Sequence, residues 1–198
     1  LRPSSGSLRI LGHEVGQEEY RHRIGYLSEF PFFYDHLTAR ETLLFSGRLS
    51  GMPGALLRDR IPVLLKRMNL SDAIDQRVGG FSKGMKQRLG MANALIHDPE
   101  LLIFDEPTAV LTPKETTRLF AAFRRMTELG KSVVFISHKL QEVMDTADEI
   151  AVLRRGEVVD EFERAALPDT RTLAARMLGR TVESDFKPTP LPPGEEVL

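Results

Sequence analysis

The sequence has no cysteine among its 198 residues. Disulfide bonds and thiolate metal sites are therefore excluded, and a reducing compartment is consistent with the composition. No run approaches the roughly 20 consecutive apolar residues that a membrane-spanning helix needs, so we expect any role at a membrane to come through a partner protein. The net charge of -1 gives no electrostatic reason to expect nucleic acid as a partner.

What is present is an ordinary globular composition, with 41% hydrophobic and 28% charged residues. The length suits one α/β domain, with room for a smaller subdomain. From Thr38 to about His97 the apolar spacing is helical, in three amphipathic runs. Thr38 is the expected N-cap of the first run, because Glu41 follows it at the spacing of a capping box.

After these helices the pattern changes to short apolar runs separated by helical stretches. LLIFD and SVVFIS read as strands buried on both faces, and EIAVLRR reads as a third strand. This alternation predicts parallel strands joined by crossover helices. A hairpin around Gly156, a helix over about 169–178 and a proline-rich linker at the end complete the expected order.

The run LLIFD is followed by an acidic pair, Asp105 and Glu106. Parallel sheets bind ligands at the carboxyl ends of their strands, where this pair is expected to lie. Asp105 could hold Mg²⁺, and Glu106 could orient a water molecule for attack on phosphorus. Taken alone, two solvated acids at the end of a strand are an equally good interpretation.

A second candidate site is the turn FSKG in front of the third helix. Ser82 and Gly84 expose a hydroxyl and backbone N–H groups at the positive end of the helix dipole, and Lys83 and Lys86 add positive charge. The alternative is that Ser82 is only an N-cap. A third candidate is His138, which follows SVVFIS directly and could hydrogen-bond a phosphate, although a lone surface histidine is the simpler interpretation.

The order of these three features is more specific than any one of them, and at this point the chain resembles the ABC ATPase family. FSKGM resembles the signature loop, LLIFDE the Walker B strand with the catalytic glutamate, and AVLTP the D-loop, with His138 as the switch histidine. The segment RIGYLSEFPFFYDHLTARETL resembles the Q-loop region. LRPSSGSLRILG resembles the stretch after the Walker A helix.

The resemblance implies a P-loop NTPase-like α/β fold, a parallel sheet with an inserted α-helical subdomain, whose N-terminal part is missing. It divides the chain into a remnant of the catalytic core with the Q-loop region (1–30), a helical subdomain with the signature loop (31–97), a catalytic core (98–160) and a C-terminal helix with a linker (161–198). The implied cofactors are ATP and Mg²⁺. The implied site residues are Glu106 and His138 for catalysis, Asp105 for the metal, and Ser82, Lys83, Gly84 and Glu29 for the phosphates and Mg²⁺.

Several positions depart from the family pattern. Glu29 replaces the Q-loop glutamine and cannot donate a hydrogen bond when ionised. Lys83 and Met85 differ from the usual signature residues, and Thr112 stands in the D-loop where Asp is common. No G-x-x-x-x-G-K-[ST] motif occurs in the sequence. Gly130-Lys131-Ser132 does not replace it, because it precedes an expected strand instead of following one.

From the resemblance we expect the ATP-binding and ATP-hydrolysing subunit of a transporter, present here as a fragment that is inactive alone. The implied partners are a second cassette and a transmembrane permease subunit, with the protein cytoplasmic and peripheral at the inner face of the cell membrane. The alternative is a non-hydrolysing or degenerate module that docks on a partner. A soluble ABC ATPase outside transport is disfavoured, since neither a basic face nor a coiled-coil insertion is visible. The motifs favour neither import nor export, and the solute stays open.

Overall fold

The computed structural model describes residues 5–16, 18 and 20–179, which form two compact units that divide between His138 and Lys139. The first unit opens with a short antiparallel hairpin of β1 (Arg9–Ile10) and β2 (His13–Glu14). The predicted tail after the last helix lies outside the described residues. None of the helices in the described part of the chain has the length and hydropathy that crossing a bilayer requires.

Three helices follow the third strand, as predicted: α1 (Ala39–Leu49), α2 (Gly54–Arg67) and α3 (Lys83–Leu95). Thr38 is the N-cap of α1, and Glu41 completes the predicted capping box. The helices pack around a common core. Its fully buried side chains include Leu43, Leu57, Leu65 and Leu89.

The first unit also contains a three-stranded parallel sheet. It contains β3 (Ile24–Leu27), β4 (Leu101–Asp105) and β5 (Ser132–Ile136) in the order β3-β4-β5, with α4 (Pro113–Glu128) as the crossover between β4 and β5. The register aligns Leu27 with Phe104 and Asp105 with Ile136. The carboxyl ends of all three strands therefore meet at one edge, as the sequence predicted.

The expectation that these strands are buried on both faces is wrong. One face is covered: Phe104 stacks on Phe123 of α4 at 4.9 Å between ring centroids, and Phe123 also contacts Phe135. On the other face Val134 and Ile136 are about half exposed. The reason is geometric, because alternate residues of a strand point to opposite faces and the described helices cover only one of them.

The second unit contains α5 (Leu140–Thr146), β6 (Glu149–Arg154), β7 (Glu157–Glu163) and α6 (Thr170–Leu178). β6 pairs antiparallel with β7, which confirms the predicted hairpin around Gly156. In the described residues these two strands form a sheet of their own, so the expectation that β6 continues the parallel series is wrong. A tight turn at Gly156, which has a positive φ of 85°, returns the chain at once. A two-residue connection of this kind permits antiparallel pairing, whereas parallel pairing needs a longer crossover.

Candidate active site at the carboxyl edge of the sheet

Glu106 leaves β4 with an unusual backbone conformation. Its φ is +47°, a region that residues other than glycine rarely occupy and that costs backbone energy. The Glu106 N–H donates a hydrogen bond to the Ile136 carbonyl at 3.0 Å, which fixes the chain reversal against β5. Backbone strain of this kind concentrates at functional sites, where the surrounding structure holds it in place.

The Glu106 side chain contacts His138, which follows β5. Glu106 Oε1 accepts a hydrogen bond from His138 Nδ1 at 2.7 Å and another from the His138 backbone N–H at 3.1 Å. A carboxylate can only accept, so Nδ1 carries the proton in this pair. The Glu106 side chain is 14% exposed and that of His138 is 72% exposed. The structure thus brings together two residues that are 32 positions apart in the sequence.

The second carboxylate oxygen of Glu106 has no partner. Oε2 is buried, and no described residue donates a hydrogen bond to it. A buried acceptor without a partner costs roughly 1–3 kcal/mol, so such atoms call for an explanation. A water molecule or a ligand hydroxyl would provide the missing donor.

Asp105 and Glu29 lie at the same edge of the sheet. Asp105 is the last residue of β4 and is half-buried, and Glu29 follows the neighbouring strand by two residues. In the described part of the chain Glu29 makes no hydrogen bond or ion pair with His138. Among the described residues no group of three or more His, Cys, Asp or Glu side chains forms a metal site.

The predicted anion-binding turn forms the start of α3. Ser82 is exposed and is the N-cap, since its hydroxyl accepts a hydrogen bond from the Met85 N–H at 3.2 Å. Lys83 does not extend freely into solvent, because its Nζ lies 4.9 Å from the centre of the Phe30 ring. The N-cap interpretation of Ser82 is therefore confirmed, whereas a role in binding phosphate stays a prediction.

The loop between Glu106 and α4 lies close to this turn. A Cβ atom built on Gly84 would be 3.9 Å from the Val110 carbonyl oxygen. Thr112 is the N-cap of α4 and forms a capping box with Glu115. Glu115 also receives a hydrogen bond from Arg88 of α3 at 3.1 Å.

Aromatic side chains cover the surface that follows β3. Phe30 is 64% exposed and Phe32 86% exposed, whereas Phe33 packs against the helical core. The ring of Tyr34 contacts those of Phe32 and Phe45 edge to face. Beside these rings a cleft of about 110 Å³ opens between the segment 26–33 and α3. Phe33 is therefore a core residue, whereas Phe30 and Phe32 belong to the surface.

The sequence Gly130-Lys131-Ser132 has a structural role. Gly130 has a φ of +81° and lies just after α4, and Ser132 begins β5. Lys131 Nζ donates to the Pro99 carbonyl at 2.7 Å and pairs with Asp98 at 3.1 Å. The prediction that this triplet does not form a phosphate loop agrees with its position, since the order is helix, turn, strand.

Arg88 and Glu115 are functional candidates that the sequence patterns did not single out. The spacing Thr112-x-x-Glu115 before an apolar helix was a detectable sign of a capping box. Nothing in the sequence indicated that Arg88 would reach the same carboxylate, because that contact depends on how α3 and α4 pack.

The fold and the site together define a class of protein. A parallel sheet with acids at its carboxyl edge, a histidine just after the next strand and a helical segment between β3 and β4 are features of ABC-type ATP-binding domains. A family model described as ABC transporter matches residues 1–109. The chain belongs to the ABC transporter family.

Individual relatives agree with this assignment. The chain is 42% identical over 161 residues to an uncharacterized ABC transporter ATP-binding protein of Nostoc sp., covering 80% of this chain and 48% of that protein. It is 36% identical to the ABC transporter ATP-binding protein NatA of Bacillus subtilis, covering 80% and 66%. A solved structure of an ATP binding subunit of an ABC transporter has a TM-score of 0.75 and 28% identity, covering 91% of this chain and 73% of the other.

The chain spans about half the length of the curated relatives that it matches. Their printed functions differ. A relative from Paraburkholderia xenovorans, 34% identical, is a methionine import ATP-binding protein, with coverage of 96% and 51%. One from Bacillus licheniformis, 37% identical, is a bacitracin transport ATP-binding protein, with coverage of 82% and 53%. These names leave the solute carried by the present protein open.

Proposed function

We propose that the protein to which this chain belongs is the ATP-hydrolysing subunit of a transporter and couples hydrolysis to solute movement. The observation that carries the proposal is the contact between Glu106 and His138, which leaves Glu106 Oε2 buried and without a partner. A carboxylate held by one oxygen and unpartnered at the other is suited to orient a water molecule. Family membership supports the same chemistry.

The donor set fits a magnesium nucleotide. Mg²⁺ is commonly bound by one or two carboxylates together with substrate phosphates and water, so the absence of a three-residue cluster among the described side chains does not conflict with it. Asp105 would hold the ion, directly or through water, with Glu29 as a second carboxylate at the same edge. When bound, the metal would neutralise charge that develops on the phosphates.

Glu106 and His138 would act on the attacking water and on the γ-phosphate, respectively. Because Oε1 is occupied by the two donors of His138, Oε2 is the atom left to accept a hydrogen bond from water. The Nδ1 proton of His138 is committed to Glu106, so its Nε2 is the atom that would face the phosphate. Catalysis of this type depends mainly on positioning and electrostatic stabilisation.

The turn at the start of α3 would serve a second nucleotide. Ser82 is exposed, and Gly84 has no side chain that would obstruct an approaching phosphate. Lys83 adds a positive charge next to backbone N–H groups at a helix N-terminus, an arrangement that favours anions. We therefore propose a second cassette as partner, whose bound ATP contacts Ser82, Lys83 and Gly84.

A transmembrane permease subunit is the other proposed partner. The exposed rings of Phe30, Phe32 and Tyr34 supply the apolar contact surface, since surface-exposed aromatic patches mark interaction sites. The protein would then be cytoplasmic and peripheral at the inner face of the cell membrane.

The test uses the gene product that carries this chain with its native flanking sequence. Glu106→Gln keeps the size of the side chain but removes the negative charge, so we expect ATP turnover to fall by at least about a hundredfold while ATP binding persists. The matched control is Glu128→Gln, at an exposed position at the end of α4. Turnover by Glu106→Gln near the level of the control would exclude the role proposed for Glu106. Neither ATP binding nor turnover in the unsubstituted protein, together with a stable partner in a pull-down, would instead favour the docking module.

A further inference from the structure

Two helices in the first unit begin with the same capping box. At α1, Glu41 Oε2 accepts hydrogen bonds from Thr38 N and Oγ1 at 2.8 and 2.9 Å. At α4, Glu115 Oε2 accepts hydrogen bonds from Thr112 N and Oγ1, both at 2.9 Å. As helix caps the two carboxylates are nearly identical, so any difference between them has to come from their other contacts.

Glu115 has a further partner that Glu41 does not have. Its Oε1 accepts a hydrogen bond from Arg88 Nη1 at 3.1 Å, and the two side chains are 23% and 32% exposed for Arg88 and Glu115. The Thr112 N–H and hydroxyl, followed by Arg88 and Arg118, hold the pKa of Glu115 below its usual range. The carboxylate thus stays charged while each of its oxygens serves a different element.

The ion pair between Arg88 and Glu115 connects two segments that carry candidate site residues. Arg88 lies on α3, the helix that Ser82 caps, and Thr112 ends the loop that begins after Glu106. Within the loop, the N–H groups of Ala109 and Leu111 donate to the carbonyls of Glu106 and Thr108, both at 3.2 Å. The pair therefore fastens the loop to the helix that carries the exposed turn.

We propose that Arg88 and Glu115 are positioning residues, which hold the loop 107–112 against α3 and so fix Glu106 relative to Ser82. The proposal rests on the proposed function, in which Glu106 and Ser82 act on two different nucleotides. Neither Arg88 nor Glu115 touches a reacting atom. Arg88 Nε is buried and has no partner among the described residues, so loss of Glu115 leaves the guanidinium poorly compensated.

The kinetic test compares variants in the gene product with its native flanking sequence. We expect Arg88→Met and Glu115→Gln each to lower kcat roughly tenfold, because small displacements of catalytic groups have effects of this order, and to change KM for ATP less than kcat. Because the two act as a pair, the double variant should be no more than about twofold worse than either single variant. Arg88→Lys, which keeps the charge, should recover part of the loss.

Glu41→Gln is the matched control, since it weakens the other capping box without touching α3. It should change kcat by less than about twofold, as expected for a cap at the surface. Equal kcat losses in Glu41→Gln and Glu115→Gln would overturn the proposal, because capping would then explain both. Multiplicative losses in the double variant would overturn it as well.

A second measurement does not need ATP hydrolysis. Hydrogen exchange of the Ala109 and Leu111 amides in this chain reports how firmly the loop is held. Exchange should be about tenfold faster in Arg88→Met and partly restored in Arg88→Lys, and unchanged in Glu41→Gln, with each factor of ten corresponding to about 1.4 kcal/mol of opening free energy. Unchanged exchange in Arg88→Met would refute the positioning role. Failure of the Glu106→Gln test alone would refute only the proposed function.

Discussion

The helical segment and the parallel sheet of the first unit bury their apolar residues in different ways. In the helical segment Leu43, Leu57 and Leu65 have no exposed surface. In the sheet, Tyr26 and Val134 are 58% and 50% exposed on the face that the described helices leave uncovered. The helical segment therefore completes its core by itself, whereas the sheet has one closed and one open face. The Glu106–His138 pair lies at the carboxyl edge of the sheet, and the Ser82 turn lies at the exposed start of α3. Neither candidate binding feature is part of a hydrophobic core.

The largest expected effect tests the closed face of the sheet. Phe104→Ala removes a side chain that is 1% exposed and stacked on Phe123 at 4.9 Å. Loss of a buried aromatic ring leaves a cavity, so the free energy of unfolding should fall by about 3–5 kcal/mol. Urea unfolding followed by circular dichroism measures it.

The control lies on the open face of the same sheet. Val134 is on the neighbouring strand but is half exposed, so Val134→Ala should change the free energy of unfolding by at most about 1 kcal/mol. Similar losses in Phe104→Ala and Val134→Ala would show that both faces are buried in solution, and the contrast between the two regions would not hold.

The helical segment permits a comparison between adjacent residues. Leu57 is fully buried in α2 and its neighbour Leu56 is 51% exposed. Leu57→Ala should cost about 2–4 kcal/mol of unfolding free energy, since burial and the resulting cavity both contribute. Leu56→Ala should stay within about 0.5 kcal/mol. Residue-resolved hydrogen exchange would show whether the loss stays within 39–95, as a self-contained core predicts, and a uniform loss across β3–β5 would contradict it.

Local patterns in the sequence predicted local structure well. The capping box at Thr38, the helical stretch between LLIFD and SVVFIS and the strand that ends at Asp105 all follow from short-range preferences, and all are present. Burial on both faces of β4 and β5 was predicted wrongly, because an apolar run shows that a strand prefers a covered face without showing which elements cover it. The hairpin around Gly156 was predicted correctly. The expectation that β6 extends the parallel series was wrong, because the alternation of strands and helices does not show which strands pair.

The contacts of the candidate site likewise include some that the sequence predicts and some that it does not. The pairing of Glu106 with His138 was predictable, because both follow buried runs that end at one edge of a parallel sheet. The ion pair between Arg88 and Glu115 was not, since it depends on the distance between two helices. The contact of Lys83 with the Phe30 ring was not predictable from the sequence either. Contacts between elements of this kind need coordinates, whereas contacts at strand ends follow from topology.

The smallest expected effect concerns the joint between the two regions, where His97 just after α3 contacts β3. His97 Nε2 lies 3.0 Å from the Ile24 carbonyl oxygen, and burial lowers the pKa of this half-buried ring from its ordinary value of 6.5. The unfolded chain therefore takes up a proton before the folded chain does, so stability is present above about pH 6.5 and declines as the pH falls through the folded pKa. The decline should be small, because the ring is partly exposed. Urea midpoints between pH 7.5 and about 5 measure it, and His97→Gln should flatten the profile whereas His36→Gln, at an exposed histidine that does not act on His97, should not. If the urea midpoint depends on pH as strongly in His97→Gln as in the unsubstituted protein, His97 is not the source of the pH dependence.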